Sequence, residues 1–202
     1  MKSVDAYGFE TLRVDSDSLA ATFTSRNGTP IRCRLIQPDD APLLISLFAR
    51  LSPESRRRRF NSSLDNIEPE RIMEEARRLT EVDNRTVGGA LLAFADGEEE
   101  RELIAVVRLG RLPATPTSAD AEAALVVRDD FQGQGVGTAL LALLALLSRR
   151  MGVKTLTASV QADNEALFAL LQRIHLPQKR HTTHGETTIS LSVDDLPMPK
   201  GG

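Results

Sequence analysis

Apolar residues in this chain follow two different periods. In "IRCRLI", Ile31, Cys33 and Leu35 alternate with arginines, and this period of two predicts a half-buried strand that turns Cys33 into the core. The run "ALLALLALLSRRM" is instead apolar almost all round. It predicts a helix from Thr138 to Met151 that is buried on most sides rather than amphipathic.

Further strands and helices are predicted along the rest of the chain. The turn signal Asn27-Gly28 is expected to close a hairpin between "ATFTS" and "IRCRLI". Amphipathic patterns and capping residues predict helices at "PDDAPLLISLFARL", "SPESRRRRF", "EPERIMEEARRL" and "NEALFALLQRI". Strands are predicted at "TVGGALLAF", "LIAVVRLGRL", "AEAALVV", "TLTASV" and "TTISLSV". We expect one domain over residues 29–193, an N-terminal extension at 1–28 that ends in a hairpin strand, and a disordered tail at 194–202.

Composition and charge restrict the class of protein. Hydrophobic residues make up 41% and charged residues 26%, which is typical of a globular domain, and the net charge of −3 argues against a nucleic-acid partner. The first residues, "MKSVDAYGFE", lack the apolar core of a signal peptide. The longest apolar run, 139–147, falls far short of the roughly 20 residues that span a bilayer. We therefore expect a cytoplasmic protein without a membrane partner.

The cysteine and histidine residues predict neither a disulfide nor a metal site. Cys33 is the only cysteine, so an intramolecular disulfide is excluded. His181 and His184 are spaced like metal ligands, but no third ligand fits the pattern, and no metal site is expected.

The segment "QGQGVG" places three glycines between a predicted strand and the buried helix. A P-loop is excluded because no lysine follows the glycines. A dinucleotide-binding fingerprint is disfavoured because Thr138 stands at its sixth position and four residues separate the strand from Gly133. An anion cradle fits better, since glycines let the backbone approach a pyrophosphate and the free N–H groups of a helix start bind it. A glycine turn without a ligand is the alternative.

In this context the segment is similar to the acetyl-coenzyme A motif of the GNAT N-acetyltransferases. The motif is carried by "AEAALVVRDDFQGQGVGTALL". More specifically, "GTPIRCRLIQPDDAPLL", "ARLSPESRRRRF", "LTEVD" and "AVVRLGRLPA" resemble the catalytic domain of bacterial Pat-type protein lysine acetyltransferases. The resemblance covers residues 28–176. It implies a GNAT-like α/β fold, with a mixed, mostly antiparallel sheet, a splayed central strand pair and helices on both faces.

The resemblance also implies acetyl-coenzyme A as cosubstrate and no metal. The motif backbone would hold the pyrophosphate and the preceding strand the pantetheine, with the Val126 N–H donating to the thioester carbonyl. Asn164 would lie near the pantetheine arm, although it is equally suited to cap the helix that follows. The implied coenzyme-binding residues are Val126, Val127, Arg128, Gln132, Gly133, Gln134, Gly135, Val136, Gly137, Thr138 and Asn164.

Glu122 is the candidate general base. An amine must lose a proton to attack a thioester, and a carboxylate in a semi-apolar site can have its pKa raised enough to accept that proton. Glu122 lies four residues before Val126 on the motif strand, a placement that resembles GNATs with a strand glutamate. A solvent-facing glutamate at a strand start is the alternative. The tyrosine acid of many GNATs has no candidate, because the only tyrosine is Tyr7 in the extension.

The resemblance implies a protein lysine as acceptor, attacking directly within a ternary complex. A small-molecule or N-terminal amine is the alternative acceptor. A non-catalytic coenzyme A-binding sensor is the alternative class, which an exposed Glu122 with no cavity beside it would favour. We expect "SPESRRRRF" and the loop 181–186 to flank the acceptor side. Arg56 to Arg59 could recognise an acidic surface or the coenzyme's ribose phosphate, but a solvated helix face is favoured.

Overall fold

One mixed sheet with helices on both faces organises the chain. The computed structural model describes residues 12–60, 69–96, 101–115 and 117–199. Within these residues, nine strands form a single sheet in the order β1-β2-β3-β4-β5-β6-β7-β9-β8. The strands are β1 Arg13–Val14, β2 Ala21–Thr24, β3 Pro30–Leu35, β4 Gly88–Asp96, β5 Arg101–Arg111, β6 Asp120–Val127, β7 Thr155–Gln161, β8 Lys179–Thr183 and β9 Glu186–Ser192. The helices are α1 Ala41–Ala49, α2 Pro53–Phe60, α3 Pro69–Thr80, α4 Val136–Met151 and α5 Glu165–Arg173.

The centre of the sheet contains a splayed pair of strands. Neighbouring strands run antiparallel except β6 and β7, which are parallel. The β6–β7 register ends where Glu122 meets Thr157, whereas β6 pairs with β5 up to Val127. The two strands therefore separate beyond Glu122. This confirms the expected α/β fold, with its mostly antiparallel sheet and splayed central pair.

Alternation along the central strands builds a core on each face of the sheet. Leu91 packs in the core that surrounds α4, and Leu92 packs on the opposite face with residues of α1. Helix α4 is buried along nearly its whole length, which confirms the prediction from its apolar run. It begins at Val136 rather than Thr138, because Gly135 adopts a left-handed φ of 93° and ends the preceding loop.

The predicted hairpin joins β2 to β3. Thr24 pairs with Pro30, and Gly28 has a φ of 90°, which suits the turn signal Asn27-Gly28.

Cys33 faces the core with 3% of its surface exposed, and burial raises the pKa of its thiol to about 12. This thiol is therefore protonated at neutral pH and is unsuited to relay an acyl group.

The last strand has an edge partner that the sequence did not predict. Residues 179–183 form β8, which pairs with β9, so the loop expected at 181–186 is confined to a tight turn at His184 and Gly185. All five residues of β8 are exposed and polar, which is why no alternating apolar pattern marked the strand.

The disordered tail predicted at 194–202 is wrong over its first part. A 3-10 turn at Val193–Asp195 is followed by Leu196, which is 4% exposed and belongs to the core around α4. Burial of this leucine anchors the segment, a contact that its Pro-rich, polar composition concealed. Residues 200–202 lie outside the described residues, as do residues 1–11 of the predicted extension with Tyr7. Strands β1 and β2, which precede residue 29, extend the same sheet.

Candidate active site

A cleft of about 900 Å³ opens where β6 and β7 separate. Its lining includes Ser55 and Arg58 from α2, which spans both strands, and Leu167 and Leu170 from α5. Leu167 and Leu170 belong to the core side that holds α4. Because its walls come from both sides, the cleft passes through the sheet at the splay.

Alternation of the backbone decides which groups of β6 face this cleft. The Arg128 N–H donates to the Ile104 carbonyl of β5 at 2.8 Å, and the β5–β6 register below this bond is continuous. Even-numbered residues of β6 therefore direct both backbone groups toward β5. Leu125 and Val127 direct their backbone groups toward β7, but the pairing of β6 with β7 has already ended at Glu122. The N–H groups of Leu125 and Val127 thus point into the splay.

This register corrects two of the coenzyme contacts predicted from the sequence. Val126 lies opposite Val106 in a hydrogen-bonded position, so its N–H points to β5 and cannot donate into the cleft. The Arg128 N–H is likewise taken up by β5, and its guanidinium pairs with Glu102 and Asp130 at 2.7 Å each. Both backbone predictions are therefore wrong.

Leu125 is the residue that sequence reasoning missed on this strand. Its N–H occupies the place predicted for Val126, one position away. The two residues cannot be distinguished from the sequence, since the choice depends on which residues of β5 and β6 face each other. The Val127 N–H, by contrast, points into the splay, and its predicted contact with the pantetheine stays a prediction.

The glycine loop, defined as residues 132–137, ends at the start of α4. Gly133 and Gly135 have φ values of 72° and 93°, a left-handed conformation that favours glycine. The first bond of the helix runs from Ala139 N–H to the Gly135 carbonyl, so the amides of residues 136–138 precede it without intrahelical partners. Together with the helix dipole, they give this end of the cleft a partial positive charge that suits an anion, and Gly133, Gly135, Gly137 and Thr138 line it.

At Gly137, α4 lies close to side chains of α5 and of the splayed strand β6. A Cβ atom there would lie 3.3 Å from Leu170 Cδ2 and 3.6 Å from Leu125 Cδ2. The side chains of Val136 and Gln134 take no part in the cleft lining, since Val136 is fully buried and Gln134 donates to a neighbouring carbonyl. Any contact of these two residues with a ligand would therefore come from the backbone.

The turn between β2 and β3 supports the glycine loop from behind. The Arg26 N–H donates to the Gln134 carbonyl at 3.1 Å, and the Arg26 guanidinium donates to the Gly133 carbonyl at 2.9 Å. These bonds fix two carbonyls of the loop and keep them from competing for its amides. No local sequence pattern indicates this support, because 107 residues separate Arg26 from Gly133.

Helix α2 is attached to the glycine loop through Asp129. This carboxylate accepts from the Ser52 N–H at 2.9 Å and from the hydroxyls of Ser52 and Ser55 at 2.7 Å each. The Gln132 side-chain amide donates both to Ser55 Oγ at 3.2 Å and to the Val127 carbonyl at 3.0 Å. The position of α2 is therefore tied to the strand and the loop that border the cleft.

Asp129 should make a pH-dependent contribution to stability. Its partial burial raises the pKa, but hydrogen bonds from Ser52 and Ser55 outweigh this and hold the pKa below the ordinary value of 3.8. The stabilisation is therefore present above that value and disappears as the pH falls through the folded-state pKa. We expect Asp129→Ala to lower the free energy of unfolding by about 1 kcal/mol at pH 7, as for the loss of a helix cap.

Denaturant titration of Asp129→Ala and wild type at several pH values measures this difference. It should shrink as the pH falls below about 4. Asp130→Ala is the matched control, because Asp130 makes its ion pair with Arg128 rather than with α2. A loss for Asp129→Ala that is the same at pH 3 and pH 7 would contradict the assignment.

Two of the four arginines of α2 are engaged within the fold. Arg56 donates to the Phe48 carbonyl at 3.1 Å at the end of α1. Arg57 donates to the Gln161 side chain at the end of β7 and to Asp163 at 3.0 Å. These two residues therefore form neither the solvated helix face nor the surface for acidic proteins that the sequence suggested. Arg57 instead connects α2 to the end of β7, whereas Asp129 connects α2 to the segment that follows β6.

Arg58 reaches the cleft itself. Its guanidinium pairs with Glu54 one turn earlier, and its Nε is buried without a hydrogen-bond partner among the described residues. The side chain of Arg59 lies outside the described residues. Of the predicted arginine cluster, Arg58 is thus the described member that faces the site.

Glu122 and Asn164 both line the cleft. Glu122 is exposed and shares one face of β6 with Ala124. Since a cavity lies beside it, the condition set for a non-catalytic sensor is not met. Asn164 Oδ1 accepts from the Leu167 N–H at 3.2 Å, which confirms the helix cap and leaves its contact with a coenzyme as a prediction.

Candidate metal clusters and candidate membrane-spanning helices are both absent from the described part of the chain. No cluster of three or more histidine, cysteine, aspartate or glutamate side chains suited to a metal occurs there, and His181 contacts Thr183 at the sheet edge. Among the helices of the same residues, none is long and apolar enough to cross a bilayer.

Comparison with known proteins agrees with this geometry. The family model of the acetyltransferase (GNAT) family matches residues 50–175. The GNAT domain of S. lividans PAT superposes with a TM-score of 0.73 at 29% identity, covering 86% of this chain and 96% of that one. RimL, a ribosomal L7/L12 alpha-N-protein acetyltransferase in complex with coenzyme A, gives 0.63 at 16%, covering 82% and 95%. A cAMP-binding acyltransferase from Mycobacterium smegmatis gives 0.58 at 23%, covering 98% of this chain and 52% of that one.

Proposed function

Because this chain belongs to the GNAT family of acetyl-coenzyme A-dependent N-acetyltransferases, we propose that its acceptor is a protein lysine and that Glu122 is the general base. The observation that carries the proposal is the placement of Glu122. It is an exposed carboxylate at the closed end of the splay, on the strand that also directs the Leu125 N–H into the cleft.

The residues of the cleft fit acetyl-coenzyme A. Left-handed glycines and the unpaired amides at the start of α4 suit a pyrophosphate. A side chain larger than hydrogen at position 137 would fill the space between α4, α5 and β6. The N–H groups of Leu125 and Val127 are available to pair with an extended pantetheine arm. Bound there, acetyl-coenzyme A supplies an activated acetyl thioester.

Two groups of β6 would then act on the reacting atoms. The Glu122 carboxylate accepts a proton from the acceptor ammonium, directly or through a water, and so produces the neutral amine that attacks. The Leu125 N–H donates to the oxyanion that develops on the attacked carbonyl, which is a contribution of about 10²–10³ in rate for such donors. When this intermediate collapses, the C–S bond breaks, and coenzyme A leaves as a thiolate that takes up a proton to give the free thiol. Cys33 takes no part, since it is buried in the core.

The exposure of Glu122 supports a lysine as acceptor. A long, flexible side chain can reach a carboxylate that is open to solvent, while a small amine is usually enclosed by its pocket. The resemblance to Pat-type enzymes points the same way. An N-terminal amine is the competing acceptor, which the experiment below distinguishes.

The experiment uses the full chain with labelled acetyl-coenzyme A and a bacterial lysate. The labelled positions are then located by mass spectrometry. Label on lysine Nζ atoms, at levels that Glu122→Gln reduces, would support the proposal. Label confined to α-amines or to small molecules would overturn the choice of a lysine acceptor.

A further inference from the structure

Arg108 of β5 is a half-buried cation close to the proposed base. It lies opposite Ala124 of β6, and the next pair on the same face of the sheet is Gly110 with Glu122. Arg108 and Glu122 are therefore diagonal neighbours on the same face of the sheet, within reach of a long side chain. This face is the one that α1 and α3 cover, opposite α4.

Among the described residues, none pairs with the guanidinium of Arg108. Within the described residues it forms neither a hydrogen bond nor an ion pair, and loss of hydration lowers its pKa. The charged groups that act on it are Glu122 of β6 and Glu75 and Arg78 of α3. Glu75 and Arg78 form an ion pair with each other at 2.8 Å, so their charges largely cancel. A half-buried cation that lacks a hydrogen-bonded partner is costly to the fold and suits an incoming anion.

There is room for such an anion beside Glu122. Gly110 stands directly across from Glu122, and a Cβ atom placed on it would find no atom within 4 Å. The space over Gly110 is thus open on the face of the sheet that carries Glu122, with the Glu122 carboxylate at one side and the Arg108 guanidinium near the other.

We propose that Arg108 binds a carboxylate of the acceptor, so that the enzyme prefers lysines that have an aspartate or glutamate next to them. The inference rests on the proposed function, because it assumes that a lysine reaches Glu122 over Gly110. The acceptor amine would lie next to the Glu122 carboxylate. The carboxylate of the neighbouring acidic side chain would lie next to the Arg108 guanidinium. A charge-assisted hydrogen bond of this kind should favour the acidic acceptor by about tenfold.

Two synthetic peptides test the inference, identical except for a glutamate or a glutamine beside one lysine. Acetylation by wild type should show about a tenfold preference for the glutamate peptide in kcat/KM, mainly through KM. Arg108→Gln should bring this ratio close to one, mainly by raising KM for the glutamate peptide. Arg108→Lys should keep part of the preference. Arg78→Gln is the matched control, because it removes a nearby exposed cation and should preserve the ratio.

Acetyl-coenzyme A affinity, measured by calorimetry, verifies that each variant is folded. A wild type that acetylates both peptides equally would overturn the inference and leave the proposed function standing. A preference for the glutamate peptide that persists in Arg108→Gln would also overturn the inference and leave the proposed function standing. A wild type that acetylates neither peptide on lysine would instead contradict the proposed function, and the inference with it.

Discussion

Glu122→Gln should lower kcat by about 10²–10⁴-fold at pH 7, the range typical for loss of a general base. Glutamine keeps the shape of the side chain but cannot accept the proton of the acceptor ammonium. Part of the activity should return at higher pH, since the free fraction of an amine with a pKa near 10.4 rises about tenfold per pH unit. Acetyl-coenzyme A affinity should stay the same. Steady-state rates between about pH 6 and pH 9 measure the effect.

Glu186→Gln provides the control for this variant. Glu186 is a second glutamate of the cleft lining, at the start of β9, and the same change of charge there should leave kcat close to wild type. If Glu122→Gln turned over like wild type across the pH range, Glu122 would be an ordinary strand glutamate. Equal losses in both variants would point to the net charge of the cleft rather than to a specific base.

Gly135→Asp should weaken acetyl-coenzyme A binding by about a hundredfold or more. It would place a carboxylate at the N-terminal end of α4, where the pyrophosphate is expected, and two like charges about 4 Å apart repel by a few kcal/mol near a protein surface. Isothermal calorimetry with the full chain measures the change. The repulsion should also decrease at high salt, because the cleft is open to solvent.

Gly135→Asn separates charge from backbone strain. Asparagine has the same size as aspartate and tolerates the left-handed φ of 93° better than most residues. It should therefore lose much less affinity than Gly135→Asp. Equal affinity of wild type and a folded Gly135→Asp would mean that the pyrophosphate does not bind at the glycine loop.

The sequence predicted the elements of the fold because their patterns are local. The apolar alternation around Cys33 and the leucine-rich run of α4 each depend on a few neighbouring residues, and both appear in the structure as expected. Strand β8 escaped prediction because an exposed, polar edge strand carries no apolar pattern. Leu196 escaped because one buried side chain fixes a segment whose composition is typical of a tail.

The sequence predicts which strand and which loop border the candidate site. It does not predict which backbone N–H of that strand points into the cleft. The glycine loop and Glu122 stand out as motifs, and both border the cleft. The choice between the N–H of Leu125 and that of Val126 required the β5–β6 register, which joins segments distant in the chain. Arg56 and Arg57 look like surface charge in the sequence, yet their hydrogen-bond partners lie on α1 and near the end of β7. Such contacts are long-range and leave no local pattern.

A transfer assay with a defined lysine peptide tests the central claim most directly. The full chain, acetyl-coenzyme A and the peptide are incubated, and the free thiol of coenzyme A and the acetylated peptide are measured over time. The account predicts that both products appear in equal amounts, that the acetyl group is on the lysine Nζ, and that Glu122→Gln slows both together. Thiol release without acetylated peptide, or a peptide modified equally fast by wild type and Glu122→Gln, would contradict it.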